Sequence, residues 1–406
     1  MHRRNLYILC FTIFLSSASW NQIAPFMPQF LRELGVTHSL TTWSGIVFAV
    51  QPLAAIVMYP FWGHMGDRMG RKAMVIRAGF CIAAVYFGMS VCRSAWQLAL
   101  LRLVNGALSG FVPGSLALIA TNTPDELSGR YVATAQSASA VGTILGPVVG
   151  GVLAAMVGRR GSMRLSSLIV LVATILVILL VREKEHPDAG KGGNVFADLY
   201  RVAFLPPMPV ILWVSLLGAA VTASIQPFLT LHLENLPGQR AEWLTGAVYA
   251  LPGVAFALFA RAWSRLGEKL PRPRVIALGF AGIALSFFCL AWIRSFWLFG
   301  AVYFIYGVFV ASLTPNIAAH VAEDVPVAMR GRAYGLMQGA NPAGAFLAPM
   351  AAGLIGRVFG LRGVLLAFGL VAAGGALLLR RWRPGGASPQ EAPAKSRGLA
   401  STNRVG

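Results

Sequence analysis

The sequence is 406 residues long, and 56% of its residues are hydrophobic while only 12% are charged. Soluble domains carry about 25% charged residues, so this composition excludes an ordinary soluble enzyme. The net charge of +20 is scattered between long apolar runs instead of forming a basic face, which argues against a nucleic-acid partner. Because a spanning helix needs about 20 apolar residues, the chain has room for about a dozen helices and for no large soluble domain.

Apolar runs bounded by charge, glycine or proline divide the chain into twelve predicted spans. These spans lie at residues 6–31, 42–63, 73–92, 96–121, 131–157, 163–181, 208–233, 243–263, 275–293, 296–319, 333–356 and 363–380. The first run is longer than the apolar core of a signal peptide, and it contains Pro25 and Pro28 where a cleavage region would lie. We therefore interpret it as the first membrane helix.

Two polar stretches interrupt this series and suggest domain boundaries. Residues 183–207 carry mixed charges and predict a cytoplasmic linker between a first six-helix bundle, residues 1–182, and a second, residues 208–383. Residues 384–406 are rich in Pro, Gly, Ala and Ser, a composition that cannot bury enough apolar surface to fold. We expect this last stretch to be a disordered cytoplasmic tail.

The distribution of Lys and Arg predicts the orientation of the chain. Cytoplasmic loops retain positive charge during membrane insertion, and most Lys and Arg fall on the side that holds both termini. We therefore expect a multi-pass protein with both termini in the cytoplasm. Arg159, Arg160 and Arg164 are the exception, because they lie on the predicted outer side.

The chain also matches itself at a shift of 201 or 202 residues. Matching positions include Pro25 and Pro227, Trp96 and Trp297, Gly106 and Gly307, Gly142 and Gly344, and Pro147 and Pro349. A repeat of six spans places two six-helix bundles in the same orientation, related by a pseudo-two-fold axis along the membrane normal. The predicted fold is thus an all-α integral membrane protein of transporter architecture, with a binding site between the halves near the midplane.

The loop between the second and third spans combines glycines with charges. Its candidate functional residues are Gly63, Gly66, Asp67, Arg68, Gly70, Arg71 and Lys72. Glycines allow a tight turn, and basic residues in such a loop can also simply set topology. The order G-x-x-x-D-R-x-G-R-K resembles the signature loop of the major facilitator superfamily. This resemblance implies that Asp67 faces the helix that begins near Gly331 and latches the two halves together.

The fourth span contains a charged residue, Arg102, in an otherwise apolar run. A charge at this depth costs roughly 3 kcal/mol on insertion scales, so it suggests a function, with snorkelling to an interface as the alternative. The spacing from Arg102 to Gly106 is similar to the fourth-span motif of the same superfamily, which implies a role in proton coupling or in binding substrate charge. Its repeat counterpart is Tyr303, so the charge belongs to one half, where it favours neutral or anionic substrates.

The fifth span carries a dense motif of small residues around one proline. Its residues are Gly142, Gly146, Pro147, Gly150 and Gly151. Small residues four apart allow close helix packing in lipid, and the proline bends the helix. Alone, G-x-x-x-G would indicate packing, but the complete G-x-x-x-G-P-x-x-G-G string resembles the antiporter motif of the drug-efflux branches of the superfamily.

Together these motifs cover nearly the whole chain and resemble the twelve-span multidrug-resistance branch of the family. The resemblance implies proton-driven export of drugs or amphipathic small molecules by alternating access, across the inner membrane of a bacterium. It implies a monomer that uses a small-molecule substrate and protons but no metal or other cofactor. The alternative is an exporter or symporter of one specific metabolite. We find neither the polar cluster of a membrane enzyme nor the filter motif of a channel.

Two parts of this mechanism stay open at the level of sequence. No acidic residue lies deep in a predicted span, so the proton carrier is unassigned, with Glu33, Asp67, His232 and His320 as titratable groups near span ends. Each polar residue inside a span either faces the substrate or hydrogen-bonds neighbouring helices. The candidate cavity residues are Asn21, Gln22, Asn105, Gln136, Gln226, Tyr303, Tyr306, Gln338 and Asn341.

Overall fold

A computed structural model describes residues 2–183, 200–206, 208–237, 242–325 and 329–381. Most of the predicted linker and the whole predicted tail therefore lie outside the described residues. In the described ranges the chain forms helices and no strand, as expected for the predicted fold. Ten helical stretches of this part are long and apolar enough to cross a membrane.

Short connections join most consecutive helices, and the longest separation, between Leu180 and Met208, contains the predicted linker. In chain order they are α1 (His2–Asn21), α2 (Met27–Glu33), α3 (Leu40–Met69), α4 (Arg71–Val91), α5 (Ala95–Leu108), α6 (Phe111–Asn122), α7 (Asp125–Leu180), α8 (Met208–Ser224), α9 (Gln226–Glu234), α10 (Glu242–Lys269), α11 (Arg272–Leu290), α12 (Phe296–Val310), α13 (Leu313–Asp324) and α14 (Arg330–Arg381). Two of them are far longer than a bilayer requires, and each is interrupted by a glycine with positive φ: α7 at Gly158 (φ 74°) and α14 at Gly360 (φ 65°).

The contacts of α1 show that α7 reverses direction at its glycine. Gln22, just after the end of α1, packs against Gly150 before the break. Its amide Nε2 also donates to the carbonyl of Ser162 after the break, at 3.2 Å. Asn5, near the start of α1, donates to the carbonyl of Arg182 at 2.7 Å. The second arm of α7 therefore runs antiparallel to α1, and the first arm does not.

The long helix α14 folds back in the same way. Gly344 and Gly375 both lie against residues 216–217 of α8, although they are on opposite sides of the break. Gly356, next to the break, lies instead against Phe228 of α9. Like α7, α14 is thus a pair of antiparallel arms.

Counting these arms separately gives twelve segments, which we number in chain order. They are α1 with α2, α3, α4, α5 with α6, the two arms of α7, α8 with α9, α10, α11, α12 with α13, and the two arms of α14. Buried apolar side chains form one core within segments 1–6 and another that reaches from Val202 through segments 7–12. We call these groups the first and second halves. The twelve membrane crossings and the domain boundaries stay predictions.

Ion pairs and turns distinguish two sides of the bundle. We call the near side the one that holds Asn5 and the turn at Gly70, where φ is 93°. On this side the carboxylate of Glu183 accepts hydrogen bonds from the backbone N–H groups of Arg71 and Lys72, at 2.9 and 3.1 Å, and so caps the start of α4. The far side is the opposite one, where α7 and α14 reverse.

Segments 4 and 10 are both broken helices, and the same device supports each break. The indole of Trp62 donates to the carbonyl of Ala107 at 2.6 Å, close to the end of α5. The indole of Trp263 donates to the carbonyl of Val308 at 2.7 Å, close to the end of α12. Since both residue pairs are related by a shift of 201, the internal repeat is structural as well as sequential.

Candidate functional site

A large cavity lies between the two halves. Its volume is about 1330 Å³, and segments 1, 2 and 4 of the first half and segments 7, 10 and 11 of the second half line it. Met27 and Pro349 line its deep end, Asn21 and Gln226 lie close to that end, and Tyr59, Leu116 and Leu336 line it toward the near side. The cavity therefore extends from the middle of the bundle toward the near side.

Polar contacts close the bundle at the far side. Glu234 of segment 7 accepts hydrogen bonds from Gln29 at 2.7 Å and from Arg32 at 2.6 Å, both on segment 1. The hydroxyl of Thr230 donates to the carbonyl of Pro25. These bonds join the two halves above the deep end of the cavity.

Two glycine contacts close the same end, and they are related by the repeat. A Cβ atom at Gly45 of segment 2 would collide with the carbonyl of Pro349 on segment 11. A Cβ atom at Gly246 of segment 8 would likewise collide with the carbonyl of Pro147 on segment 5. Backbones of opposite halves can approach this closely only because both positions lack a side chain.

The predicted antiporter motif therefore has two contact faces. Gly142, Gly146 and Gly150 pack onto the backbone of segment 1, at Phe14, Ala18 and Gln22. Pro147 points its carbonyl at the second half, while Gly151 is buried. The motif joins segment 5 to its own half on one face and to the opposite half on the other.

Arg102 lies in the wall of this cavity, where it is largely buried. Its Nε donates to the carbonyl of Val47 at 3.2 Å, and its guanidinium lies 5.6 Å from the ring centre of Phe48. Gln51, one turn further along segment 2, also lines the cavity. Arg102 is the one charged residue among the lining residues that the structure describes, and these include no carboxylate. The lining is otherwise mostly apolar, which suits amphipathic ligands with few polar anchors.

The equivalent region of the second half is an aromatic stack. Tyr303, the counterpart of Arg102, stacks on Tyr306 with ring centres 5.2 Å apart. Phe287 stacks on Tyr306 at 5.1 Å, and Phe299 on Tyr303 at 6.0 Å. These rings belong to the apolar core of the second half.

Three of the nine predicted cavity residues line the cavity: Asn21, Gln226 and Asn341. Gln22, Asn105, Tyr303 and Tyr306 are buried but are not among the lining residues in this conformation. Gln136 is exposed on segment 5, and the side chain of Gln338 lies outside the described part of the chain.

The loop motif is described only in part. The side chains of Asp67 and Arg68, and the surroundings of Gly63, lie outside the described part, so the Asp67 latch stays a prediction. Gly66 is buried at the end of α3. Besides their bonds to Glu183, Arg71 and Lys72 reach backbone carbonyls of segments 4 and 6. The described part of this motif thus ties together the near side of the first half.

Two of the three arginines that depart from the predicted charge rule, Arg159 and Arg160, have partners in the described part of the chain. Arg159 forms an ion pair with Glu33 and donates to Gln29 at 3.2 Å. Arg160 donates to the carbonyls of Ser90 and Cys92, both at 2.9 Å, at the end of segment 3. Both side chains stabilise the far side of the first half, which gives them a structural reason to be there.

Sequence reasoning did not single out several residues of this site, among them Gln51, Arg77, Glu183 and Glu234. Arg77 packs its guanidinium 3.3 Å from the ring centre of Trp62, beside the break in segment 4. Comparison of the repeats could have identified Gln51, because a polar residue stands there in the first half while the equivalent position of the second half is the apolar Pro252. In the described residues, no cluster of His, Cys, Asp and Glu could hold a metal ion.

Comparisons with known proteins agree with this architecture. The family model of the Major Facilitator Superfamily matches residues 9–259 and 235–404. Multidrug resistance protein MdtG of Enterobacter lignolyticus is 30% identical over 91% of this chain and 90% of its own length. MdtG of Proteus mirabilis is 29% identical over 89% and 91%, respectively.

Solved structures share the fold at low sequence identity. A point mutant of the nucleoside transporter NupG gives a TM-score of 0.77 at 14% identity, covering 94% of this chain and 99% of its own. A bacterial homologue of the human lysosomal transporter Spinster, solved in an inward-facing and unoccupied conformation, gives 0.77 at 15% identity, with the same coverage. The chain is therefore a multi-pass membrane protein that belongs to the Major Facilitator Superfamily.

Proposed function

We propose that this protein is a secondary transporter that exports drugs or amphipathic small molecules across the bacterial inner membrane by alternating access, in exchange for protons. The observation that carries this proposal is the large, mostly apolar cavity between two halves that meet at the far side. The multidrug resistance name of the MdtG relatives supports the class of cargo. The antiporter motif supports exchange over symport.

The near side corresponds to the cytoplasm in this proposal. Lys and Arg concentrate in near-side loops, and such loops stay cytoplasmic during insertion. Cargo then enters the cavity from the cytoplasm or the inner leaflet while the far side is closed. Release outside requires the two halves to separate at Gly45, Gly246 and Glu234 and to close around the near side.

The protein would work as a monomer, because the cavity and both glycine contacts are formed within one chain. Protons would supply the energy and no cofactor would be needed. The described lining contains no carboxylate, so the proton site has to be found by experiment. Arg102 makes neutral and anionic compounds better cargo than simple cations, because it repels positive charge.

An efflux panel in cells without their own pumps tests this function. Accumulation of several unrelated compounds is compared for wild type and Gly246→Leu, with and without a protonophore. Gly246→Leu places a side chain against Pro147 and should abolish efflux. Gly129→Leu is the matched control, because a Cβ atom at Gly129 meets nothing within 4 Å.

Drug and proton antiport is supported if wild type and Gly129→Leu both lower the accumulation of several compounds, and if Gly246→Leu or the protonophore restores accumulation to the level of cells without the protein. Efflux that persists in the presence of the protonophore would contradict proton coupling. If no compound responds although the protein reaches the membrane, the multidrug assignment fails and an exporter of one metabolite becomes the better hypothesis.

A further inference from the structure

Four polar residues of the first half lie close together on segments 2, 3 and 4. Arg102 and Asn105 are one turn apart on segment 4, and the backbone of Gln51 lies against the next residue, Gly106. Tyr86 of segment 3 faces both Arg102 and Asn105. We call these four side chains the polar pocket.

The polar pocket has unused hydrogen-bonding capacity. Both amide atoms of Gln51, both amide atoms of Asn105 and the hydroxyl of Tyr86 are buried in the described part of the chain without a hydrogen bond of normal distance and angle, although Tyr86 and Asn105 lie close enough to interact. The three residues are only 3%, 1% and 0% exposed, respectively. Buried polar atoms in folded proteins nearly always have a partner, so this concentration of unpartnered atoms points to a ligand.

The charge of the pocket is also unbalanced. Arg102 is 8% exposed, and its Nε bonds to a backbone carbonyl. It forms none of the salt bridges found among the described residues. A buried guanidinium without a counter-charge is unfavourable, and an anion that reached it would remove that penalty.

The chemistry of the four side chains favours an acceptor with negative charge. Arg102 offers its remaining N–H groups, Tyr86 an O–H group, and Gln51 and Asn105 their amide N–H₂ groups. Hydrogen bonds between a guanidinium and an anion are among the strongest in proteins. Arg102 and Gln51 line the cavity and Asn105 and Tyr86 do not, so a ligand that arrives from the cavity meets Arg102 and Gln51 first.

We propose that Arg102, Gln51, Asn105 and Tyr86 form a binding site for a monovalent anion, either a free halide or a carboxylate group. We assign the site to the first half because the equivalent residues of the second half carry no charge. These residues are Tyr303, Pro252, Tyr306 and Phe287. The site goes beyond the proposed efflux, and its occupancy can be measured without any transport.

The test is the unfolding midpoint of the purified protein in detergent, because a ligand of the folded state raises it. The bulky buffer anion 2-(N-morpholino)ethanesulfonate is replaced by chloride or by acetate at constant ionic strength. Wild type should show a rising midpoint that saturates with one or both small anions. Tyr86→Phe, which removes a single hydroxyl, and Gln51→Leu should require about tenfold more anion for the same rise.

Tyr249→Phe is the control, since it removes a tyrosine hydroxyl from the second half, where it donates to the carbonyl of Gln226, and should keep the wild-type anion response. A response to chloride alone supports the site and assigns a free halide. A stronger response to acetate supports it and assigns the acidic group of a cargo molecule. The proposal is overturned if the wild-type midpoint ignores both anions, or if Tyr86→Phe and Gln51→Leu respond as wild type does. Either result leaves the efflux panel to judge transport independently.

Discussion

The two halves are built on one repeat, but they treat the same position in opposite ways. Arg102 and its polar neighbours occupy the place where the second half stacks Tyr303 between Phe299 and Tyr306. The glycine contacts at Gly45 and Gly246, in contrast, are nearly identical. The difference indicates that both halves contribute to closure of the bundle in the same way, whereas a buried charge with polar neighbours occurs at this position in the first half alone.

The largest effect is expected when the aromatic stack is made to resemble the polar pocket. Tyr303→Arg buries a charge among stacked aromatic rings in the apolar core of the second half. We expect a loss of about 3 to 5 kcal/mol in unfolding free energy, seen as a lower melting temperature in detergent and a smaller folded fraction. Tyr303→Phe serves as control and should stay near wild type. A wild-type melting temperature for Tyr303→Arg would mean that the halves are interchangeable here.

The symmetric closure should fail equally from either half. In Gly45→Leu and Gly246→Leu the new side chain collides with the opposite half at the far side. Each substitution should destabilise the conformation with a closed far side by about 1 to 3 kcal/mol or more. We expect both to reduce efflux by at least about tenfold at normal membrane expression. Unequal losses would show that segments 2 with 11 and 5 with 8 play different roles.

Replacing an unpartnered amide by an apolar side chain should stabilise the first half. Asn105→Leu removes two buried atoms that lack partners, so without small anions the unfolding free energy should rise by about 1 to 2 kcal/mol. The same variant should lose the anion response. Tyr306→Leu, at the equivalent position, should instead destabilise because it removes stacked rings. A lower melting temperature for Asn105→Leu would argue that the amide is already satisfied.

The smallest effect concerns the two far-side carboxylates. Glu234 bridges the halves, while Glu33 pairs with Arg159 inside the first half. Glu234→Gln should weaken closure by about 0.2 to 1 kcal/mol, since such exposed pairs contribute little. Pulsed EPR distances across the far side should shift toward the open state for Glu234→Gln and stay unchanged for Glu33→Gln. A shift in both variants would show that Arg159 also supports closure.

Much of the fold could be predicted because its signals are local or periodic. Apolar runs located the segments, and the shift of 201 or 202 residues paired the halves. The breaks at Gly158 and Gly360 fall between predicted spans, where glycine can adopt the positive φ of the turn. The predicted first span, in contrast, is interrupted by a 3₁₀ turn at Ala24–Phe26, because two prolines follow each other closely there.

The site was harder to predict because polarity alone does not say which way a side chain faces. Asn21, Gln226 and Asn341 line the cavity, while Gln22 bonds to Ser162 and Gln136 lies on an exposed face. All five residues have amide side chains, and they lie at similar depths within their predicted spans. The rotation of each helix about its axis decides which of these side chains faces the cavity. That rotation is set by close packing at glycines, and a single sequence does not show which glycines pack against which helix.

The tryptophan bonds at the broken segments bear on how the protein is made. Trp62 precedes Ala107 in the chain, and Trp263 precedes Val308. During synthesis the indole donor of each half has thus already left the ribosome when the helix it supports emerges. Each broken helix can form its tertiary hydrogen bond as soon as it enters the membrane, so neither half has to wait for the other to complete its break.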